Sequence, residues 1–220
     1  MSKWPRIVIP GQPHHVTHRG TRRQTIFFGD DDCRLYQHIL GLSCSKHGVE
    51  IWAYCLMPNH IHMIAVPERA DSLSLAFGRA HQCYARIINS RNEWTGHLWE
   101  QRFSSIPMDE PHLLMAARYV ELNPVRAGMV SRPSNYPYSS ATPHLLGQND
   151  NLVNVSRLLE IVPHWADFLA DGLQESDADR LRELEKTGYP AGSDQFLKNF
   201  ETQYGVQCRP QKRGRKPNIN

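Results

Sequence analysis

Strand-like and helix-like patterns of apolar residues alternate along the first half of the chain. Loose alternation, or enrichment in β-branched and aromatic residues, predicts four strands at residues 14–20, 49–56, 60–66 and 96–106. Apolar residues at helical spacing predict one helix between the first two strands, one between the last two, and one after the fourth.

The helix ends carry their own signals. Asp30–Asp32 supply N-cap chemistry for the first helix, and Gly48 is placed to end it. Asp109 can cap the third helix, EPHLLMAARYVEL. This helix is expected to stop at Asn123, because the residue before Pro124 resists helical backbone.

A tight turn joins the second and third strands. Pro58 presets φ for the first corner and Asn59 tolerates the second, so the two strands form a hairpin. The order of elements is then β-α-β-β-α-β followed by a helix. This order predicts an α+β fold of the ferredoxin-like split-βαβ type, with an antiparallel sheet and helices on one face.

The second part of the chain has weaker patterns. SRLLEIV, DADRLRELEK and SDQFLKNFETQYG read as short helices, and RPQKRGRKPNIN reads as a flexible basic tail. We therefore divide the chain into a domain at 1–145, a helical accessory segment at 146–208 and a tail at 209–220. The accessory segment is expected either to bind DNA or to fold back onto the domain.

Composition excludes several classes of protein. The chain has 220 residues, 40% hydrophobic and 21% charged, which is ordinary for a globular protein. No apolar run approaches the ~20 residues of a membrane span, and prolines interrupt any signal-peptide core near the start. We expect a cytoplasmic enzyme or a DNA-associated protein of the nucleoid, with no membrane partner and no small-molecule cofactor.

Charge is distributed unevenly, although the net charge is only +3. Residues 1–29 and 209–220 each contain five basic and no acidic residues, while 171–185 is acid-rich. Basic arms on a neutral body favour a polyanionic partner such as nucleic acid, and a solubilising tail is the alternative.

The most distinctive stretch is YCLMPNHIHMIAV, in which two histidines interrupt an apolar run. Side chains at i and i+2 of a strand point to the same face, so His60 and His62 project together while Ile61 points into the core. Two imidazoles at this spacing can be neighbouring ligands on one metal ion. Chance occurrence is the alternative, since the chain has 12 histidines.

A second candidate lies in MAARYVELNPVRAG. Tyr119 and Asn123 are four residues apart, so a phenol and an amide share one face of the predicted third helix. Taken alone, these residues could equally be a packed tyrosine and a helix-ending asparagine.

Together the two segments resemble the HUH single-tyrosine nucleases. Further stretches resemble one branch of them, the REP-associated tyrosine transposases (RAYT), whose name refers to repetitive extragenic palindromes. They are HHVTHRGTRRQTIF, LMPNHIHMI, YARIINSRNEWTGHLWEQRFSS, RYVELNPVRAGMV and YPYSS. The resemblance covers roughly residues 5–145.

The resemblance implies a role for each matching residue. His60 and His62 match the paired metal ligands, Tyr119 matches the nucleophile, and Asn123 matches a third ligand that is commonly Gln in related transposases. Such a donor set suits Mg²⁺ or Mn²⁺. No carboxylate is evident within the matching segments. The implied activity is metal-dependent cleavage and rejoining of single-stranded or hairpin DNA through a 5′-phosphotyrosine, by a monomer or homodimer.

Other residues are candidates for DNA contact. The basic ones are Arg19, Arg22, Arg23, Arg102, Lys212, Arg213, Arg215 and Lys216. Trp99 and Phe103 could form a base-stacking platform or simply pack in the sheet. The histidines of the first strand, His14, His15 and His18, are expected to face DNA or be structural rather than to bind metal.

Two rival functions remain open at this stage. One is a protein of the same fold that binds hairpin DNA without cutting it. The other is a zinc hydrolase that uses the paired histidines to activate water, and it predicts that activity survives loss of Tyr119.

Overall fold

The computed structural model describes residues 7–208, and the basic-tail candidates Lys212, Arg213, Arg215 and Lys216 lie outside that range. The described residues form four strands: β1 (His14–Arg19), β2 (Val49–Met57), β3 (His60–Pro67) and β4 (Ser104–Pro107). They also form eight α-helices: α1 (Asp30–His47), α2 (Ser72–Arg91), α3 (Glu110–Arg126), α4 (Ala141–Leu146), α5 (Ser156–Ile161), α6 (Trp165–Ala170), α7 (Glu175–Thr187) and α8 (Asp194–Tyr204). Among the helices of residues 7–208, none is long and apolar enough to cross a membrane.

The strands form one antiparallel sheet in the order β2-β3-β1-β4. The two central strands, β1 and β3, each precede a crossover helix that leads to an edge strand, as the split-βαβ pattern requires. The predicted fold class is therefore confirmed. The hairpin is also confirmed, because only Pro58 and Asn59 separate β2 from β3.

The two faces of the sheet have separate cores. On one face, strand residues such as Val16, Ile61 and Met63 pack against α1 and α2. On the other, Cys55 and Ile64 pack against α3. The expectation that helices cover one face holds for α1 and α2 only. The third helix is apolar enough along one side to cover the second face, which would otherwise leave its strand side chains in water.

The accessory segment packs beside α3. Leu158 of α5, Trp165 of α6 and Leu181 of α7 are buried in the same core as α3 and the second sheet face. The three predicted short helices of this segment are present as α5, α7 and α8, whereas the sequence patterns missed the six-residue helices α4 and α6.

Three predicted element ends are wrong. The fourth strand begins only at Ser104, since the chain from 96 to 103 is loop whose backbone joins the end of β1 at isolated points. Helix α3 continues past Pro124 to Arg126, because Pro124 is buried in the last turn, where only one backbone hydrogen bond is lost. Helix α1 is capped by Gly29, and its three aspartates lie within the first turn.

Candidate functional site

The paired histidines lie at the start of β3, directly after the hairpin turn. In the sheet His60 is paired with Arg19 and His62 with Thr17, both on β1. Alternation along β3 places both imidazoles on the α3 face, while Ile61 enters the core on the opposite face. His62 is buried, with 2% of its surface exposed, and His60 is half-buried.

Helix α3 brings Tyr119 onto this histidine pair. The ring centroids of Tyr119 and His62 are 5.3 Å apart, with the rings nearly perpendicular. The phenol ring is buried, and the Arg126 guanidinium lies 5.6 Å from its centroid. Asn123 follows one helical turn later and is half-buried. The structure therefore assembles three of the four residues implied by the family resemblance in direct side-chain proximity.

Two further residues at the site were not predicted to lie beside the paired histidines. His15 Nε2 on β1 lies 3.1 Å from His62 Nδ1, and Glu185 Oε1 on α7 lies 3.5 Å from the same nitrogen. Ligand atoms of His15, His62 and Glu185 all lie within 4.8 Å of one another. The matching sequence segments contain no carboxylate, and the one beside the histidines, Glu185, comes from a helix far along the chain.

A sequence signal for Glu185 did exist. Ala178 and Leu181 are buried on α7, and Glu185 follows them at helical spacing, so it shares their face. An acid on the buried face of a helix is a candidate functional residue. His15 offered no comparable signal, since its neighbours depend on the register between β1 and β3.

The nitrogens of the two strand histidines are arranged for metal binding. His60 Nδ1 lies 2.6 Å from Asn59 Oδ1, to which it donates, and His62 Nδ1 faces His15 and Glu185. Within residues 7–208, neither Nε2 atom has a hydrogen-bond partner, and both imidazoles line an open cavity. Metal-binding histidines commonly have one nitrogen held by a neighbour and the other on the metal. These residues fit a divalent cation.

The protonation state of the imidazoles agrees with this arrangement. Burial, with a smaller effect of Arg19, lowers the pKa of His60 to about 4. Burial lowers the pKa of His62 well below its ordinary value, assisted by His60, His15 and Arg19. Both imidazoles are therefore neutral near pH 7, which is the form that ligates metals.

The acidic groups respond to burial in the opposite direction. Burial raises the pKa of Glu185 to about 7, although the charges of Arg19 and Arg182 oppose the change. Burial and then the nearby Glu185 raise the pKa of Tyr119. The charge of Arg182, its hydrogen bond to the phenol and the charge of Arg126 all act to lower that pKa. Two arginines are therefore placed to favour the phenolate.

A basic cavity of about 720 Å³ opens beside the histidines. Its lining includes the basic residues Arg19, Arg23, Arg102, Arg182 and Lys186, together with Glu100 and Glu185. Three of the arginines predicted to contact DNA therefore face one cavity with the candidate metal ligands. Arg22 lies next to them in a short 3-10 turn, Thr21–Arg23, and is exposed.

The remaining candidates of the first and fourth strands are structural. Trp99 and Phe103 are buried in the core with α1 and α2, so packing rather than base stacking accounts for them. His18 stacks on Trp99 with centroids 4.7 Å apart, and His14 Nδ1 donates to the Gln12 carbonyl. The structural expectation is confirmed for His14 and His18, whereas His15 lies on the opposite face, at the site.

Comparison with known proteins identifies similar sequences and solved structures of similar fold. Residues 11–123 match the model of the family described as "Transposase IS200 like". A "REP-associated tyrosine transposase" of Escherichia coli K12 is 27% identical over 92 residues, which are 41% of this chain and 53% of that protein. A Haemophilus influenzae relative of the same description is 26% identical over 109 residues, 44% of this chain and 62% of that protein.

The chain thus spans between about half and two thirds of the length of these relatives. A solved structure of a REP-associated tyrosine transposase bound to a REP hairpin superposes with a TM-score of 0.58 at 21% identity. The superposition covers 70% of this chain and 93% of the chain in the solved structure. At this sequence identity the match shows a similarity of fold.

Proposed function

Since this chain belongs to the IS200-like transposase family, we propose that it is a metal-dependent single-stranded DNA endonuclease and strand transferase acting through Tyr119. The observation that carries the proposal is the contact of Tyr119 with His62, beside His60, at a basic cavity. The matched segment includes all three residues. We place the catalytic domain at 1–145 and treat 146–208 as an accessory segment.

In the proposed reaction the Tyr119 oxygen attacks a DNA phosphorus atom. A P–O bond to Tyr119 forms and the P–O3′ bond breaks, so that a 5′-phosphotyrosine and a free 3′-hydroxyl result. The phenol must lose its proton, and the neighbouring Arg182 and Arg126 stabilise the phenolate. The phosphotyrosine retains the energy of the broken phosphodiester bond. Another 3′-hydroxyl can therefore attack the phosphotyrosine, release Tyr119 and join two DNA strands.

The metal centre is proposed to consist of His60 and His62, with Asn123 as the third protein ligand. A bound Mg²⁺ or Mn²⁺ would polarise the scissile phosphate and stabilise negative charge in the transition state. Asn59 supports the centre by accepting the His60 Nδ1–H, which leaves Nε2 as the ligand atom. Burial keeps both imidazoles neutral and excludes water from behind them.

The proposed substrate is hairpin-forming palindromic DNA. The structural relative is bound to a REP hairpin, and both similar sequences are described as REP-associated. In this chain, Arg19, Arg23 and Arg102 line the cavity from three different segments. Side chains in that arrangement can neutralise phosphates on either side of a bound strand.

The proposal is tested by trapping the covalent intermediate. Labelled hairpins would be incubated with the protein and Mg²⁺, Mn²⁺ or EDTA, in parallel with Tyr119→Phe, and examined for a denaturation-resistant adduct. Tyr138→Phe is a matched control, because Tyr138 is half-buried and its ring contacts Tyr136 rather than either histidine. We expect a metal-dependent adduct that only Tyr119→Phe abolishes. Hairpin binding without an adduct under any metal would favour the non-cutting alternative.

Glu185 gives the water-activating rival a specific observation in its favour. Its carboxylate lies beside His62 and burial raises its pKa to about 7, which suits a general base. This rival predicts cleavage that persists in Tyr119→Phe and disappears in Glu185→Gln. The same labelled hairpin separates the two mechanisms.

A further inference from the structure

The Nδ1 side of His62 contacts two residues from outside its own hairpin. His15 Nε2 is 3.1 Å from His62 Nδ1, and Glu185 Oε1 is 3.5 Å from the same atom and 3.9 Å from His15 Nδ1. We infer that His15 and Glu185 are positioning residues that hold His62 with its proton on Nδ1 and its Nε2 free for the metal. This inference rests on the proposed function.

The hydrogen-bonding capacity of the three side chains supports one arrangement. A neutral imidazole has one donor and one acceptor nitrogen. If His62 Nδ1 donates to His15 Nε2, the proton of His15 must be on Nδ1, which points towards Glu185. The carboxylate then terminates the series as an acceptor. The opposite arrangement would put the His62 proton on Nε2 and prevent that atom from binding a metal.

The last two atoms of this His62–His15–Glu185 arrangement are buried and lack hydrogen-bond partners among the described residues. His15 Nδ1 and Glu185 Oε1 are both enclosed and make no hydrogen bond with the described residues. Unpaired buried polar atoms are costly, so their mutual proximity requires an explanation. The two atoms are 3.9 Å apart, and a displacement of about 0.7–1 Å would bring them within N–H···O hydrogen-bond range.

Helix α7 is held so that Glu185 reaches the site. Glu175 at the start of the helix pairs with Arg126 of α3 at 2.9 Å, and Leu181 is buried against the same core. Glu175, Asp179 and Glu183 of α7 are exposed, whereas the Glu185 side chain is only 17% exposed. The accessory segment therefore folds back and supports the site through one carboxylate.

The same three residues could instead hold an ion among themselves, since their ligand atoms lie within 4.8 Å of one another. That alternative would use His62 Nδ1 and would exclude His60, whose Nδ1 is bonded to Asn59. The two arrangements differ in which histidine is indispensable. His60 is required for the positioning arrangement, and His15 would be a direct ligand in the other.

The test is a titration of the full chain with Mn²⁺ in the absence of DNA. Calorimetry and electron paramagnetic resonance measure the binding. The variants are Glu185→Gln, His15→Phe and His60→Ala, with Glu183→Gln as the control from the exposed face of the same helix. Loss of an outer partner of a metal ligand typically weakens metal binding 10–100-fold. We expect Glu185→Gln and His15→Phe to bind Mn²⁺ about tenfold more weakly than the parent. We expect His60→Ala to show no Mn²⁺ binding. Glu183→Gln should bind like the parent.

A second readout measures the tautomer itself. In ¹⁵N-histidine NMR of the metal-free protein, His62 should be protonated on Nδ1 and should shift towards the Nε2–H form in Glu185→Gln and His15→Phe. Circular dichroism would confirm that each variant is folded. A purely structural role for Glu185 would leave the tautomer and the Mn²⁺ affinity unchanged and would overturn the inference.

Two other results would also overturn it. Retention of Mn²⁺ binding in His60→Ala would place the ion among His15, His62 and Glu185. Faster hairpin cleavage by Glu185→Gln with unchanged Mn²⁺ affinity would make Glu185 an obstruction rather than a support. Failure of the proposed tyrosine chemistry is recognised separately, because metal affinity is measured without DNA and does not depend on an adduct.

Discussion

Glu121 of α3 is a fully buried acid that anchors the second half of the chain. One carboxylate oxygen accepts hydrogen bonds from Ser140 Oγ at 2.5 Å and His144 Nδ1 at 2.6 Å. The other accepts from Trp165 Nε1 at 2.8 Å. A buried carboxylate is tolerable only when its oxygens are satisfied in this way, so each donor fixes the segment that carries it.

We therefore expect Glu121→Ala to lower the free energy of unfolding by about 3 kcal/mol, because three buried donors each lose their shortest hydrogen bond. Urea denaturation would measure the change. Glu160→Ala is the control, since Glu160 forms only an exposed pair with Arg157 and should cost no more than about 0.5 kcal/mol. A loss for Glu121→Ala as small as that of the control would contradict the anchoring role.

At the same scale, sequence reasoning found some site residues and missed others for a physical reason. His60 and His62 were recognisable because strand alternation by itself places them together. Tyr119 was found through its resemblance to a family motif. Glu185 required knowing that α7 folds back onto α3, which depends on pairing and packing between distant segments such as Arg126 with Glu175.

Among the secondary-structure elements, the 3-10 turn after β1 has an unusual backbone. Arg22 and Arg23 have φ of 55° and 62°, in the left-handed region that non-glycine residues seldom occupy. The turn is fixed from outside, since Asn59 Nδ2 donates to the Arg23 carbonyl and Gly20 N–H donates to the Asn59 carbonyl. Strained residues held by their surroundings are concentrated at functional sites.

We expect Arg22→Gly to weaken hairpin binding without lowering stability, because glycine fits this backbone and only the cation is lost. The slope of log affinity against log salt should decrease in magnitude by about 0.7–0.9 for one phosphate contact. Fluorescence anisotropy at several salt concentrations would measure it. Arg22→Lys should retain the parent slope, and equal slopes for Arg22→Gly and the parent would exclude a phosphate contact.

Element types were predictable more reliably than element ends. The hairpin and the two crossover helices follow from periodicity and turn chemistry, which are local. The segment 96–103 has strand-like residues, yet Trp99 and Phe103 enter the core from a loop. Pro124 illustrates the same point, since burial of the last turn of α3 outweighs the preference of the residue before proline.

For the whole molecule, buried neutral histidines determine how stability varies with pH. Burial lowers the pKa of both His14 and His15 to about 4. His14 has both nitrogens engaged as a neutral ring, donating to the Gln12 carbonyl and accepting from Ile9 N–H. At these two histidines the unfolded chain therefore binds more protons than the folded protein between pH 6.5 and 4, and the raised pKa of Glu185 opposes the effect at a single group.

The free energy of unfolding should accordingly be highest above pH 6.5 and fall as the pH is lowered towards 4. Each such histidine changes the free energy of unfolding by up to about 1.4 kcal/mol per pH unit in that interval. In urea titrations across this range, His14→Gln should flatten the dependence, whereas His164→Gln, at an exposed position, should not. Parallel curves for His14→Gln and the parent would disprove the assignment.

The position of α7 also has a consequence for synthesis of the protein. Glu185 is translated 123 residues after His62. At ribosomal rates of about 5–20 residues per second, the strand histidines precede their carboxylate neighbour by roughly 6–25 s. In the later part of that interval, once Tyr119 has been translated, the growing chain has all four strands and the tyrosine but not the helix behind His62. A nascent chain and a finished one therefore present different surroundings to the same pair of imidazoles.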